Sequence, residues 1–310
     1  MLSRRHAILT SGAFLALAAC GRGGGGASTL RVGSQKGGTK AVLLASGALE
    51  GADYAIEWSD FPAAQNLLEA LASDAVDVGL VGDAPFQFAY QSGSPARAVA
   101  ALKAEARQPG ALAIIVEGRS PIRSVRDLAG KRIATIRGSI GHFLVLSALD
   151  DAGLALDAVK LTFLSPSDSR AALQSGAIDA WSTWTPYTAA ALSEGARIIV
   201  DGRAYSEGVA FDVASASAIR DKRRILADFL DREAKAFAWS NDHVDDYARI
   251  LAQETGLPLP IALATVKQNA RQRTPLDKAL IEKQQNVLDV FFKAGEIKSP
   301  RKLPDAFEIL

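Results

Sequence analysis

The stretch LRVGSQKGGT at residues 30–39 joins an apolar strand to a helix through a glycine-rich loop. Leu30 opens the predicted strand, and Thr39 is the predicted N-cap of the following helix. Residues 82–85 and 138–142 repeat the same order of strand, glycine and helix. A helix N-terminus presents unpaired N–H groups and a partial positive charge, so these three loops predict places where an anion binds.

Strand and helix signals alternate along most of the chain, which predicts an α/β fold with parallel or mixed sheets. A helix opened by Pro62 would place Leu67, Leu68 and Leu71 on one face, and Ser167 is the predicted cap of a later helix. Predicted strands cover residues 30–32, 54–58, 76–80, 97–102, 111–116, 132–136, 159–164, 177–181, 197–200 and 209–214. From Ile219 onward the pattern is helical, with later helices near residues 245–255, 261–269 and 276–293.

Breaks in this pattern predict the domain organisation. Ser120-Pro121 interrupts the elements, so we expect the chain to cross from a first lobe to a second near this point. The strand at residues 209–214 is predicted to return the chain. We therefore expect a first lobe at residues 29–117 and 209–310, and a second lobe at residues 118–208, with a hinge between them.

The N-terminal residues 1–20 are typical of a bacterial lipoprotein signal. Arg4 and Arg5 precede an apolar stretch too short to span a bilayer, and Leu17-Ala18-Ala19-Cys20 resembles a lipobox. Residues 21–28 are glycine-rich and predict a flexible tether. We expect an extracytoplasmic or periplasmic protein, anchored by a lipid on Cys20, and both twin-arginine and Sec export remain open.

Composition excludes several classes of function. The 35 basic and 34 acidic residues leave a net charge of +1, which argues against nucleic acid or an acidic membrane surface as partner. The chain has one cysteine, Cys20, so we expect neither a disulfide nor a thiol nucleophile in the fold. Three histidines, of which His6 lies in the leader, form no metal-ligand pattern, and we predict no metal and no cofactor.

Six segments stand in order along the chain: residues 33–39 (GSQKGGT), 57–63 (EWSDFPA), 78–85 (VGLVGDAP), 120–131 (SPIRSVRDLAGK), 138–139 (GS) and 184–187 (WTPY). As a set they resemble the aliphatic-sulfonate-binding proteins of ABC importers, within the nitrate, sulfonate and taurine group. The resemblance implies a type II periplasmic-binding-protein fold, in which two α/β lobes close on a ligand. It also implies a monomeric solute-binding component whose partners are a small organic anion, a permease and its ATPase.

The same resemblance implies the residues that line the anion site. The first lobe would contribute Gln35, Lys36, Gly37, Gly38, Asp83 and Ala84, and the second lobe would contribute Gly138, Ser139, His142 and Trp184. Trp184 would pack against the organic tail. Ser34 and Thr185 depart from the tyrosine and the aspartate that are frequent in the family, which leaves the size and polarity of the tail open.

Four of these side chains also have an ordinary structural interpretation. Lys36 fits a solvated loop charge, and His142 fits a solvent-facing residue in the first turn of a helix. Asp83 fits a helix cap. Trp184 fits the core as well as a cavity wall, because tryptophan beside proline packs well in either place.

Rival functions differ in the residues that they need. Sulfinate desulfinases share the implied fold but use a cysteine nucleophile, and His142 and His243 lie in separate segments, so we predict a protein that is not an enzyme. Taurine carries an ammonium and would need a buried carboxylate such as Asp83 or Asp212. Nitrate would need a smaller, flatter site, and a thiamine-precursor pyrimidine would need aromatic rings on both faces.

Overall fold

The computed structural model describes residues 28–36 and 38–310. The predicted leader with Cys20, the tether up to residue 27, and Gly37 lie outside the described residues. In the described part of the chain, every helix is too short or too polar to cross a membrane. In chain order the elements are β1 (Ser28–Gln35), α1 (Thr39–Ser46), β2 (Tyr54–Phe61), α2 (Ala64–Ala72), β3 (Val78–Gly82), α3 (Asp83–Gln91), β4 (Arg97–Ala104), β5 (Leu112–Val116), β6 (Arg132–Thr135), α4 (Ile140–Asp151), β7 (Lys160–Phe163), α5 (Pro166–Gln174), β8 (Ala180–Trp184), α6 (Tyr187–Ser193), β9 (Arg197–Asp201), β10 (Val209–Ala214), α7 (Ala216–Asp221), α8 (Arg223–Asp242), α9 (Val244–Thr255), α10 (Leu259–Gln268), β11 (Arg271–Thr274), α11 (Lys278–Lys283) and α12 (Gln285–Lys293).

The first sheet has six strands in the order β11-β4-β10-β3-β1-β2. β1 pairs in parallel with β2 and β3, whereas β10 runs antiparallel between β3 and β4. This sheet with α1–α3 and α7–α12 forms the first lobe. Because parallel strands end at the same edge, the carboxyl ends of β1 and β3 bring the N-termini of α1 and α3 to one side of the lobe.

The second sheet has five strands in the order β7-β6-β8-β5-β9, and with α4–α6 it forms the second lobe. β6 pairs in parallel with β7 and β8, and β5 runs antiparallel between β8 and β9. Both sheets are therefore mixed, as the alternation of elements predicted. The predicted α/β class is confirmed.

The first crossing between the lobes lies earlier than the sequence suggested. The sequence assigned residues 111–116 to the first lobe, but β5 pairs with β8 and β9 of the second sheet. The crossings therefore run through residues 105–111 and 202–208, and Ser120-Pro121 lies in a loop of the second lobe. β5 is buried along its whole length, and a uniformly apolar strand carries no mark of the sheet that it joins.

Two expectations for helices were also wrong in detail. Ser165, not Ser167, caps α5 by accepting from the N–H of Asp168. The long helix expected at residues 276–293 is two helices, α11 and α12, which meet at the buried Gln284. The sequence also missed β11, because a short, polar edge strand paired only with β4 has little hydrophobic periodicity.

Helix α12 packs against both lobes. Its buried Phe291 contacts the rings of Phe88 in α3 and of His142 and Phe143 in α4, with ring centroids 5.2 to 6.3 Å apart. Aromatic pairs at such distances add to the free energy gained by burying the rings. This aromatic cluster holds the glycine loop at residues 138–142, at the start of α4, close to the first lobe.

Candidate functional site

A cavity of about 200 Å³ lies between the lobes. Its walls come from the carboxyl end of β1, the N-termini of α1 and α3, the start of α4, the end of β8 and both crossings. The predicted site residues that line it are Gln35, Lys36, Gly38, Asp83, Ser139 and Trp184. These six were predicted from distant parts of the sequence, and the fold brings them to one place.

The first glycine loop turns tightly into α1. The N–H of Gly38 donates to the carbonyl of Gln35 at 2.9 Å, and Nε2 of Gln35 donates to the carbonyl of Leu80 at 2.8 Å. Gly38 is the N-cap and supplies no side-chain acceptor, but Oγ of Ser34 accepts from the N–H of Lys40 at 3.2 Å. The other amides of the first turn of α1 have no side-chain cap. Lys36 is exposed at the cavity edge.

Thr39 has a different role from the predicted one. It is the first residue of α1 and not its cap, and its hydroxyl donates to Oε1 of Glu233 in α8 at 2.8 Å. Thr39 is 2% exposed and lines the cavity. This bond was not predictable from local sequence, because the two residues lie 194 positions apart.

Asp83 is the first residue of α3. Among the described residues, it supplies the carboxyl group that lines the cavity. Its Oδ1 accepts from the N–H of Ala84 at 2.7 Å, while Gly82 takes the N-cap position. Burial raises the pKa of Asp83 to about 6, although the Ala84 N–H and the charge of Arg271 act in the opposite direction. Ala84 is fully buried and lies outside the cavity lining.

Arg271 of β11 is a cavity residue that the sequence did not reveal. Its Nη1 donates to the carbonyl of Gly208 at 3.1 Å, and burial lowers the pKa of its guanidinium. Asp83 attracts it without forming a direct ion pair. A guanidinium has five N–H donors in a planar fork, so Arg271 retains donors for an oxyanion. The alternation of Arg271 and Arg273 in a polar stretch was the available signal.

The two crossings bring further cations to the cavity. Arg107 donates from the first crossing to the carbonyls of Arg203 and Ser206 in the second, and Arg203 is paired with Asp201. With Lys36 and Arg271, these arginines give the described lining an excess of positive charge over Asp83. A positive cleft raises the local concentration of anions.

Trp184 lines the second-lobe wall of the cavity at the end of β8. Its ring meets that of Tyr187 edge to face, at 6.1 Å between centroids. Leu112 extends this apolar wall, and Phe237 of α8 lines the cavity from the first lobe. The position therefore supports the cavity-wall interpretation of Trp184 that the sequence left open.

Ser139 is the N-cap of α4, and its Oγ accepts from the N–H of His142 at 3.0 Å. Ser139 lines the cavity, whereas Gly138 lies outside its lining. Gly138 has a φ of 69°, and a Cβ there would lie 2.3 Å from the ring of Phe88. The expected ligand contact of Gly138 is replaced by a close packing contact between the lobes.

His142 is neither a cavity residue nor solvent-facing, which corrects both interpretations. It is fully buried between the rings of Phe163 and Phe291, and its Nδ1 accepts from the N–H of Gly138 at 3.1 Å. Burial, and to a lesser degree Arg137, lowers its pKa to about 4. The sequence places His142 in the first turn of a helix, but it does not show which side of that helix is covered by the neighbouring lobe.

The comparisons with known proteins agree with this geometry. A model of the NMT1/THI5-like family matches residues 59–231. An aliphatic-sulfonates-binding protein of Escherichia coli (strain K12) is 34% identical over 270 residues, which cover 85% of this chain and 83% of that protein. The crystal structure of the periplasmic aliphatic sulphonate binding protein from Escherichia coli has a TM-score of 0.79 at 30% identity, covering 91% of this chain and 98% of that one.

A second solved structure is similar over the same region. The alkanesulfonate-binding protein from Xanthomonas axonopodis pv. citri, bound to MOPS, has a TM-score of 0.83 at 29% identity, covering 91% of this chain and 99% of that one. These likenesses confirm the predicted two-lobed periplasmic-binding-protein fold with its helical C-terminal segment. The chain therefore belongs to the NMT1/THI5-like family and is related to aliphatic-sulfonate-binding proteins.

Proposed function

We propose that this protein is the solute-binding component of an ABC importer and that it binds an aliphatic sulfonate in the cavity between its lobes. The observation that carries the proposal is the juxtaposition of Arg271 and the start of α1 with the apolar wall around Trp184. One side of the cavity suits an oxyanion, and the other suits an alkyl tail. The names of the relatives point to the same ligand class.

A sulfonate is ionised at every biological pH, so its receptor needs N–H and O–H donors and no titrating base. Its three oxygens accept several donors at once. Arg271, Gln35 and the N-terminal amides of α1 other than that of Lys40 are the first-lobe donors in this proposal. Ser139 supplies a hydroxyl from the second lobe, so closure of the lobes would surround the anion.

Taurine is the second candidate, and Asp83 is the observation that favours it. An ammonium needs a carboxylate partner when it is buried, and Asp83 lines the cavity. Arg271 attracts that same carboxylate, however, and burial raises its pKa to about 6. We therefore favour a sulfonate with an uncharged tail over one that carries an ammonium.

For the protein's place in the cell, we propose an extracytoplasmic position with a lipid on Cys20. The lipobox-like segment LAAC at residues 17–20 and the glycine-rich residues that follow support this anchor. The partners in this proposal are a permease and its ATPase, and the binding protein acts as a monomer.

The test is calorimetry with ethanesulfonate, longer alkanesulfonates, taurine, nitrate and sulfate. We expect alkanesulfonates to bind with a Kd on the order of 1 μM, or about 8 kcal/mol. Trp184→Ala should weaken a long-tailed sulfonate more than ethanesulfonate, because only the long tail reaches the wall. Binding of nitrate or taurine without alkanesulfonates would contradict the proposed ligand, and equal losses in the variant would assign Trp184 to packing.

A further inference from the structure

A line of three buried polar side chains leads from the cavity into the core of the first lobe. Thr39 lines the cavity and donates to Oε1 of Glu233. The carboxyl of Asp212 in β10 neighbours that of Glu233, and each affects the pKa of the other. All three side chains are buried, at 2%, 1% and 0% exposure respectively. We call Thr39, Glu233 and Asp212 the acid chain.

The acid chain holds two carboxyls where protein donors are scarce. Three carboxyl oxygens accept no hydrogen bond from an N–H or a hydroxyl of the described residues: both oxygens of Asp212, and Oε2 of Glu233. A hydrogen bond between two carboxyls requires a proton on one of them. Arg273 of β11 is the charged side chain that acts on both, and its Nη1 donates to the carbonyl of Leu230.

The number of protons on the pair sets the direction of the hydrogen bonds. With one proton, Thr39 donates to Glu233 and Glu233 donates to the Asp212 carboxylate, so every bond points inward. A second proton allows the opposite direction, in which Asp212 donates to Glu233 and Glu233 donates to the oxygen of Thr39. A threonine hydroxyl has a single hydrogen, which is then free to point into the cavity and donate to an anion.

We propose that the acid chain couples sulfonate capture to the uptake of one proton, with Glu233 and Asp212 as positioning residues that set the direction in which Thr39 donates. The inference rests on the proposed function. In the binding step, the sulfonate enters, one proton from solvent adds to Asp212, the two hydrogen bonds of the acid chain reverse, and the Thr39 hydroxyl donates to the ligand. No covalent bond to the ligand forms, and the bound sulfonate replaces the Asp212 carboxylate as the negative end of the chain.

The electrostatics of the pair favour one bound proton at neutral pH and the uptake of a second in slightly acidic solution. Burial raises the pKa of Glu233 well above its ordinary value, and the neighbouring Asp212 raises it further. Burial also raises the pKa of Asp212 to about 6, against the hydrogen bond from Glu233 and the charge of Arg273. The free protein therefore holds one proton on the pair at neutral pH. A second proton can add to the pair when an anion binds.

The experiment measures ethanesulfonate binding by calorimetry between pH 5.5 and 8, in pairs of buffers that contain no sulfonate and differ in ionisation enthalpy. We expect uptake approaching one proton per ligand near pH 7.5, and a Kd that rises up to tenfold per pH unit above about pH 6. Asp212→Asn should abolish the uptake and make the Kd constant over this range. Thr39→Val should raise the Kd about tenfold at pH 5.5 and also abolish the uptake, whereas Thr39→Ser should preserve both.

Asp228→Asn is the matched control, because Asp228 lies on α8 with Glu233 but pairs with Arg232 at the surface. It should retain full proton uptake. Asp83 also has a pKa of about 6 and lines the cavity. A pH slope that survives Asp212→Asn would assign the proton to Asp83 and overturn the inference, as would binding of the unaltered protein without uptake. If no sulfonate bound at any pH, the proposed function itself would fail.

Discussion

The two glycine loops that start α1 and α4 follow one sequence plan, yet they use their polar groups differently. Gly38 caps α1 without a side chain, and the first residue of that helix reaches into the acid chain. Ser139 caps α4 with its side chain, and His142 takes the N–H of Gly138. The second loop caps its helix with the side chain of the N-cap residue. In the first loop, Oγ of Ser34 accepts from the N–H of Lys40 at 3.2 Å, and the other amides of the first turn stay available to a ligand.

This difference shows that a helix N-terminus is a binding site only where its own chain leaves donors unused. We expect changes in the second loop to act mainly on folding, and changes around the first loop to act mainly on binding. The following substitutions test that division, beginning with the one of largest expected effect.

Gly138→Ala should lower the free energy of unfolding by about 3 kcal/mol. The left-handed backbone disfavours a side chain, and the new Cβ would lie 2.3 Å from Phe88. Gly153→Ala is the matched control, because Gly153 has a φ of 68° and open space around a Cβ. It should cost about 1 kcal/mol. Equal losses in denaturant unfolding would show that the contact with Phe88 adds no strain.

Arg271→Gln should raise the Kd for an alkanesulfonate about thirtyfold, which corresponds to about 2 kcal/mol for a charge-assisted hydrogen bond. The free energy of unfolding should change less. Arg220→Gln removes an arginine paired with Asp221 at the surface of the same lobe and should leave the Kd unchanged. An unaltered Kd in the Arg271 variant would remove β11 from the anion site.

Asp83→Asn should stabilise the ligand-free protein by about 1.5 kcal/mol at pH 8. The pKa of Asp83 is higher in the folded protein, at about 6, than its ordinary value of 3.8. The folded state therefore binds the proton more tightly, and stability falls as pH rises from about 4 through 6. Unfolding in denaturant at several pH values should show a shallower fall in the variant. Part of the slope should remain because Asp212 titrates in the same range. A curve parallel to that of the unaltered protein would contradict the assignment.

Ser139→Ala should lower the free energy of unfolding by about 1 kcal/mol through loss of the N-cap. It should also raise the Kd two- to threefold, because Ser139 lines the cavity. Ser165→Ala removes the cap of α5 and is the control for the folding effect alone. If both variants bound ligand equally well, Ser139 would be a structural residue only.

Much of the site was predictable because its signals are local. Gln35, Asp83 and Ser139 stand where strands end and helices begin, and the fold places such ends at one edge of each sheet. Trp184 was found through its segment WTPY. Arg271 and Glu233 were not found, because their place at the cavity depends on β11 pairing with β4 and on α8 packing over the first sheet.

The sequence by itself determined the α/β class, the order of most elements and the three strand-to-helix loops, since turn chemistry and hydrophobic periodicity act over a few residues. Only the tertiary structure decided that β5 joins the second sheet, that His142 is buried against α12, and that Asp212, Glu233 and Thr39 form one chain. These outcomes depend on contacts between residues far apart in sequence. Which face of an element becomes buried, and which buried acid finds a partner, is settled only when the elements pack together.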